Sequence, residues 1–498
     1  MRKIILFIFS VLLLTSCEKF LDVTPEDKGY DNELLTDRSG FETVLAGVYK
    51  SLNSDTLYSL QMKYGFLETL VGSYNSLGSS HYYYRSYRHE YTYEEPKKII
   101  EGIWTNLYKV INQTNIILKK VDNIKDDPYY NIVKGEAIGL RAFSHFQLLK
   151  LFGPVISQEG ISAQSILYRD EVSTTASKFE TAEQIRIKIE RDLKESLALL
   201  ENDPIRKNSR TANLNQFNYE KYNSLIDRRG NRMNYYAIKT MQSQLAQWFG
   251  DHNQAGKIAE EIIDELNVNK SIALAVPSAL SRSTNIRMPM ENIFGLLDQN
   301  LQSKVSRYLP RLEDTRSSSS SPLLFPNYTW LKNNLYTIAG HGSTNDFRYV
   351  NWFKLSANST STYKISKYII PLEAKMSNDN ELEYFENKIL SLHQVYMIAA
   401  ESLIETNPQK AIDLLNIVRN ARDIGITSNI QYDAGMTKET IANYLFDEIR
   451  KENIGEGFLF TEYKRLYKNI HRATPVVASL NVFKFPIPDD ELLYNPQN

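Results

Sequence analysis

Cysteine is nearly absent: Cys17 is the single one in 498 residues. Without a second thiol no intrachain disulfide can form, so an oxidising compartment imposes nothing on the fold. No cysteine pair exists to ligate a metal. An excess of one charge is also missing, since 58 Lys and Arg face 59 Asp and Glu. That balance, with no long basic run, gives no reason to expect nucleic acid as a partner. After the N-terminal segment no stretch approaches the ~18 uninterrupted apolar residues of a membrane-spanning helix. HExxH, GxSxG and Walker A motifs are absent, and the seven histidines are scattered. These absences argue against several enzyme classes without excluding enzymes outright. No catalytic residue, metal or cofactor is assigned.

A hydrophobic content of 42% is ample for a large core, and the length suits two to four average domains. Tyrosine (32) far outnumbers tryptophan (4), and much of it falls in polar, loop-like sequence.

The N-terminus carries the most specific local signal. Arg2 and Lys3 precede an apolar run from Ile4 to Leu14, followed by Leu14-Thr15-Ser16-Cys17. Eleven apolar residues cannot span a bilayer, which needs roughly 20, so residues 1–16 read as a signal peptide. Small residues before the cysteine match a lipoprotein processing site, which makes Cys17 the lipid-attachment residue and anchors the mature chain to a membrane. An ordinary secretory signal with an incidental cysteine is the alternative. Residues 17–31 then form a polar tether.

Beyond the tether the pattern is mainly helical. The spacing predicts helices over Thr36–Leu52, Leu60–Val71, Ile99–Val121, Lys134–Pro154 and Thr181–Leu200, the last opened by a Thr181/Gln184 capping box. The 134–154 stretch is apolar on more than one face, which predicts cover on two sides. Gly153 is expected to take the left-handed end conformation, with Pro154 stopping the helix. Helical pairs at Met233–Phe249 with Asn253–Leu266, and Glu386–Glu405 with Pro408–Arg422, resemble tetratricopeptide hairpins at irregular spacing. Trp104 and Trp248 lie on apolar faces and read as core. Arg141 and His145, four apart, read as a buried hydrogen-bonded pair rather than a catalytic one.

Two regions break the pattern. Gly72–Glu95, GSYNSLGSSHYYYRSYRHEYTYEE, crowds tyrosines among helix breakers. From about 273 to 370 the helical period dissolves into serine-rich loops and short apolar runs, with strands expected at Ile293–Leu297 and Tyr368–Leu372. A helix over Lys438–Asn453 follows, and the C-terminal FKFPIPDDELLYNPQN reads as too proline-rich for a helix. The fold expected is mainly α, an α-α superhelix of dispersed tetratricopeptide-like hairpins with a loop-rich region holding a few short strands. It divides into residues 32–272 and 273–498.

Several pieces together resemble the SusD/RagB family of nutrient-binding outer-membrane lipoproteins. CEKFLDVTPE at Cys17–Glu26 is similar to that family's mature start, and WTNLYKVINQTNIIL at Trp104–Leu118 to one of its helices. Glu136, Ala137, Arg141, Ala142, Phe152, Gly153 and Pro154 resemble its helix ending in Phe-Gly-Pro. In EIRKENIGEGFLFTEYKR, Glu448, Arg450, Glu452, Glu456, Gly457 and Arg465 match its charged block, and FPIPDDELLYNP at Phe485–Pro496 resembles its close. Ile449, Gly455, Leu459 and Glu462 depart from the pattern. The resemblance implies a helical lid over a TonB-dependent (SusC-like) outer-membrane barrel, facing the cell exterior. It further implies capture of a glycan, or in some members a peptide, without catalysis.

For a sugar, aromatic rings are the expected contacts, because a ring face packs on the apolar C–H face of a pyranose while polar neighbours bond its hydroxyls. The candidate ligand contacts are Asn75, Tyr82, Tyr83, Tyr84, Arg85, Asn327, Tyr328, Trp330 and Trp352. Packing of these rings under the loops as a local core is the alternative. A lipid-anchored glycoside hydrolase and a repeat scaffold with no small ligand also remain open. The 59 acidic residues contain no pair that spacing alone singles out.

Overall fold

The computed structural model describes residues 34–173, 175, 177–207, 225–276, 286–311, 322–356, 359–368 and 384–495. Cys17, its signal peptide and its tether lie outside them, as do residues 369–372 of the expected strand and the serine run at 317–321. Helix α1 (Arg38–Leu52) is opened by the Asp37 carboxylate, which accepts from the Gly40 amide, and buries Phe41, Leu45, Val48 and Leu52. Of the helix expected over Leu60–Val71 only α2 (Phe66–Leu70) forms, after a series of turns. A single helical turn, α3 (Tyr84–Tyr87), sits inside the tyrosine-rich segment.

The long helices α4 (Glu94–Lys120) and α5 (Tyr130–Phe152) pack side by side, and α6 (Ala182–Leu199) covers α5 from another side. Every residue of α5 from Gly135 to Phe152 is buried, which is what an all-round apolar helix requires. Glu136, Arg141 and His145 survive burial on it because each is engaged. Glu136 takes Arg229, Arg232 and the Tyr49 hydroxyl, and Arg141 bonds Asp192 at 2.6 Å. The His145 Nδ1–H donates to the Arg141 carbonyl, its Nε2 accepts from the Arg169 amide, and its ring stacks on Tyr168 at 3.9 Å. Gly153 ends α5 differently from the expectation. Its φ of −67° is ordinary, and a Cβ there would come within 2.5 Å of the Leu149 carbonyl. Glycine is needed for room, not for a left-handed turn.

The Thr181/Gln184 capping box forms at the start of α6. Helices α7 (Tyr235–Trp248) and α8 (His252–Asn269) make the first hairpin; α11 (Leu392–Leu403) and α12 (Pro408–Asn420) make the second. Proline at the first turn of α12 costs no hydrogen bond. Residues Glu386–Ser391, expected as helix, instead form strand β4, paired antiparallel with β1 (Asn292–Leu297). A second two-stranded antiparallel sheet joins β2 (Phe353–Leu355) to β3 (Tyr363–Ile365), following helices α9 (Tyr328–Leu331) and α10 (Phe347–Trp352). Helix α13 (Lys438–Glu452) packs on α11 and α12, and α14 (Leu459–Leu466) returns to α2. The proline-rich end does contain a helical turn, Asp489–Tyr494, which begins after Pro488 where the ring is tolerated.

One hydrophobic core runs from Leu35 to Phe485 and takes in Trp104 and Trp248. Among the described residues no helix is long and apolar enough to cross a membrane.

Candidate ligand-binding surface

An isolated antiparallel bridge between Tyr74 and Pro326 joins the tyrosine-rich segment to the later loops. The Asn75 amide donates to the Phe325 carbonyl at 2.9 Å, and the Asn327 amide to the Ser73 carbonyl at 3.0 Å. Asn75 and Asn327 therefore flank one splice, both half-buried. His81, 242 positions before Leu323, bonds that residue's carbonyl at 3.1 Å and ties down the next turn. Two stretches far apart in sequence thus form one surface.

The candidates divide by exposure. Tyr82 is 42% exposed and meets Tyr83 edge-on at 4.9 Å. Tyr84 and Arg85 are half-buried. The Arg85 guanidinium pairs with Glu90 through Nη1 at 2.7 Å and lies 3.9 Å from the Tyr93 ring centroid. Tyr83 and Trp352 are corrections. Tyr83 is fully enclosed, with its hydroxyl bonded to Gln61. Trp352 is 1% exposed, donates its indole N–H to the Ile286 carbonyl and has the Lys367 ammonium 4.3 Å from its ring. Both rings are packed inside the protein, so neither has a free face.

Tyr328 is the centre of the second cluster. Its ring stacks on Tyr363 at 3.5 Å and lies parallel to Tyr349 at 5.8 Å, and its hydroxyl donates to the Tyr349 hydroxyl at 2.8 Å. Burial and then the Tyr349 bond push the Tyr328 phenol far up from its ordinary value, so it stays a neutral donor and acceptor. Phe353 and the buried Tyr336 back this stack. Tyr349 and Tyr363 were not singled out from sequence. The alternation of Tyr363, Lys364 and Ile365 is the one local signal, since it puts Tyr363 and Ile365 on one strand face. Trp330 is half-buried, with the Arg450 guanidinium 5.4 Å from its ring. Asp447 holds Arg450 at 2.8 Å and accepts from the His341 Nε2–H at 2.9 Å.

This surface combines flat aromatic faces, two side-chain amides and neutral hydroxyls, the complement of a polyhydroxylated ring. The carboxylates of the charged block are engaged elsewhere. Glu448 and Glu452 both pair with Arg348, and Glu452 also with Arg422. Burial opposes their ionisation, but these cations outweigh it and hold both near pKa 2. Glu456 pairs with Lys63 and Lys367 at 2.6 and 2.5 Å. Among the described residues no group of three or more His, Cys, Asp or Glu is placed to hold a metal.

Residues 19–241 match the family model SusD-like_3, described as starch-binding and associating with the outer membrane. No curated protein matches the sequence. Several solved structures share the fold. A SusD superfamily protein from Bacteroides thetaiotaomicron is similar at TM-score 0.69 and 20% identity, over 92% of this chain and 97% of that one. A SusD-like carbohydrate binding protein from Bacteroides vulgatus is similar at TM-score 0.67 and 17% identity, over 91% and 96%. One from Bacteroides fragilis, also of the SusD superfamily, is similar at TM-score 0.67 and 15% identity, over 93% and 99%.

Proposed function

We propose, for a chain that is SusD-like in sequence across residues 19–241 and SusD-like in fold across more than nine-tenths of its length, that it captures oligosaccharides at the cell surface without catalysis. It hands them to a TonB-dependent outer-membrane barrel and is held beside that barrel by lipid on Cys17. The observation that carries the ligand class is the Tyr328 stack with Tyr363 and Tyr349, next to the half-buried Trp330. Rings stacked with nearly parallel planes offer a flat face to a pyranose, and Asn75 and Asn327 supply amides that can bond its hydroxyls. The contacts proposed are Asn75, Tyr82, Tyr84, Arg85, Asn327, Tyr328 and Trp330, with Tyr349 and Tyr363 added.

The test is a glycan and peptide array probed with the chain from Glu18 onward. Retention of oligosaccharides with no reducing ends released over time supports the reading. Retention of peptides alone transfers the site to the peptide-binding alternative, and accumulating reducing ends transfer it to a glycoside hydrolase.

A further inference from the structure

A small polar cavity lies where α5, β4 and α14 meet. Its volume is about 40 Å³, and Gln147 and Lys150 from α5, Lys388 from β4 and Thr461 from α14 are among its lining residues. Two ammonium groups therefore border one small space, and neither has a close acceptor. Lys150 is 8% exposed. Among the described residues its Nζ has no hydrogen bond and no ion pair, and the Phe146 ring centroid lies 4.7 Å away. Burial pushes its pKa down to about 8, only partly opposed by the Glu462 carboxylate. That carboxylate is itself held by Arg465 at 2.8 Å. At pH 7 Lys150 is thus mainly a cation without a counter-ion of its own.

Lys388 is the third lysine on one carboxylate. Glu456 pairs with Lys63 at 2.6 Å and with Lys367 at 2.5 Å, whereas Lys388 stands off at 4.0 Å. Among the described residues the Lys388 Nζ makes no hydrogen bond. Glu68, the other carboxyl near Lys367, has its pKa raised by burial, which favours its neutral form. Three lysines against one carboxylate leave a positive excess beside the cavity. A buried charge needs a paired opposite charge, not only a dipole. The oxygens of Gln147, Asn453 and Thr461 at the same cavity accept hydrogen bonds but are neutral and balance nothing.

We propose that this cavity binds a small monovalent inorganic anion of halide size. It sits between the ammonium groups of Lys150 and Lys388, with the side-chain amide of Gln147, unbonded among the described residues, as a further donor. The charge of the lining fixes the sign of the occupant, and the space fixes its size. One water needs about 10–15 Å³ of such volume, so the cavity takes a single halide with a water or two and is far too small for a sugar ring. The ion ties α5 to β4 and to the C-terminal charged block through Glu456. No residue of this site belongs to the Tyr328 surface, so the binding is independent of the glycan reading.

The chain from Glu18 onward, which contains every described residue, is crystallised with sodium bromide, and data are collected at the bromine absorption edge. An anomalous peak within hydrogen-bond reach of the Lys150 and Lys388 ammonium groups is expected. In solution, the melting midpoint is followed as chloride replaces gluconate, an anion too large for the cavity, at constant ionic strength. The parent should rise by about 2 °C and then saturate. Lys150→Met should abolish both the peak and the chloride dependence. Lys388→Gln, at the more accessible of the two lysines, should raise the chloride concentration at half-effect at least tenfold. Where neither variant folds, the bromide map of the parent decides. Ordered water alone in the cavity, bromide only on surface lysines as an adventitious ion, or a chloride dependence that both variants keep overturns the proposal.

Discussion

The ammonium of Lys464 donates to the carbonyl of Gly153 at 2.7 Å, and also to that of Leu151 at 3.2 Å. A residue of the C-terminal charged block thereby satisfies two of the open carbonyls at the end of α5, in a buried site. Replacing Lys464 with Met leaves the Gly153 carbonyl without its donor, while the Leu151 carbonyl keeps the Phe485 amide at 3.3 Å. An unpaired buried acceptor costs about 1–3 kcal/mol, partly offset by removing a buried ammonium. A loss of about 1 kcal/mol in urea unfolding is expected. Unchanged stability would mean that water or another group serves the Gly153 carbonyl.

The same lysine predicts a pH slope. Burial lowers its pKa from 10.5 to about 7, and that of Lys150 to about 8. Between the folded and unfolded values the unfolded chain holds protons that the folded chain has released, so stability rises with pH from about 7 towards the unfolded lysine value. Urea midpoints measured from pH 7 to 9.5, below the range where tyrosines intervene, should rise in the parent and rise less in Lys464→Met.

Arg348 makes the opposite case. It is fully buried against Asp346, Glu448 and Glu452. Removing one member of a buried charge cluster typically costs about 3–5 kcal/mol, because the partners stay buried and uncompensated. Arg348→Met should therefore be strongly destabilised at pH 7. Glu448 and Glu452 are depressed in the parent, so their contribution is present above the unfolded value near 4.5 and is lost as pH falls through about 2. In the variant these carboxyls titrate higher, protonate early and relieve the repulsion. The gap between variant and parent should narrow as pH is lowered from 7 to 4.

His145 provides a spectroscopic check on the core. Its Nδ1–H donates and its Nε2 accepts, which fixes one neutral tautomer. Burial, only partly offset by Asp192, lowers its pKa to about 3. Nitrogen NMR of the imidazole should show the Nδ1–H tautomer and no titration between pH 5 and 8. A titration midpoint near 6.5 would place the ring in solvent and contradict its stacking on Tyr168.

How much of this was legible depended on the range of the interaction. The Thr181 cap, the all-round burial of α5 and the core roles of Trp104 and Trp248 follow from neighbours within a few residues, and each was readable, although α5 begins at Tyr130, four residues before the expected Lys134. Strand β4 was not. Ile389 and Leu390 run directly into the apolar face of α11, and the partner strand β1 lies nearly a hundred positions earlier in the chain. The pairing of Asn75 with the Asn327 segment was hidden for the same reason. Tyr83 and Trp352 show the limit of composition: an aromatic ring in loop-like sequence covers a ligand or a core equally well. Their burial was decided by Gln61 and Ile286, which no local pattern points to.

That distinction separates two kinds of substitution at the proposed site. Trp352→Ala removes a buried indole and should cost about 3–5 kcal/mol of stability, lowering glycan retention only as the protein unfolds. Tyr328→Ala and Trp330→Ala remove half-buried rings and should weaken glycan retention at least tenfold while thermal stability changes little. Isothermal titration with the best glycan from the array, beside melting curves for each variant, reads both effects. If Tyr328→Ala and Trp330→Ala bind as the parent does, the aromatic stack is packing and the ligand surface lies elsewhere. Cys17→Ser tests the remaining element, the anchor. Fractionated cells should then show the protein released from membranes, because one polar tether without lipid gives no stable attachment, whereas continued membrane retention in the absence of the barrel would remove Cys17 from the mechanism.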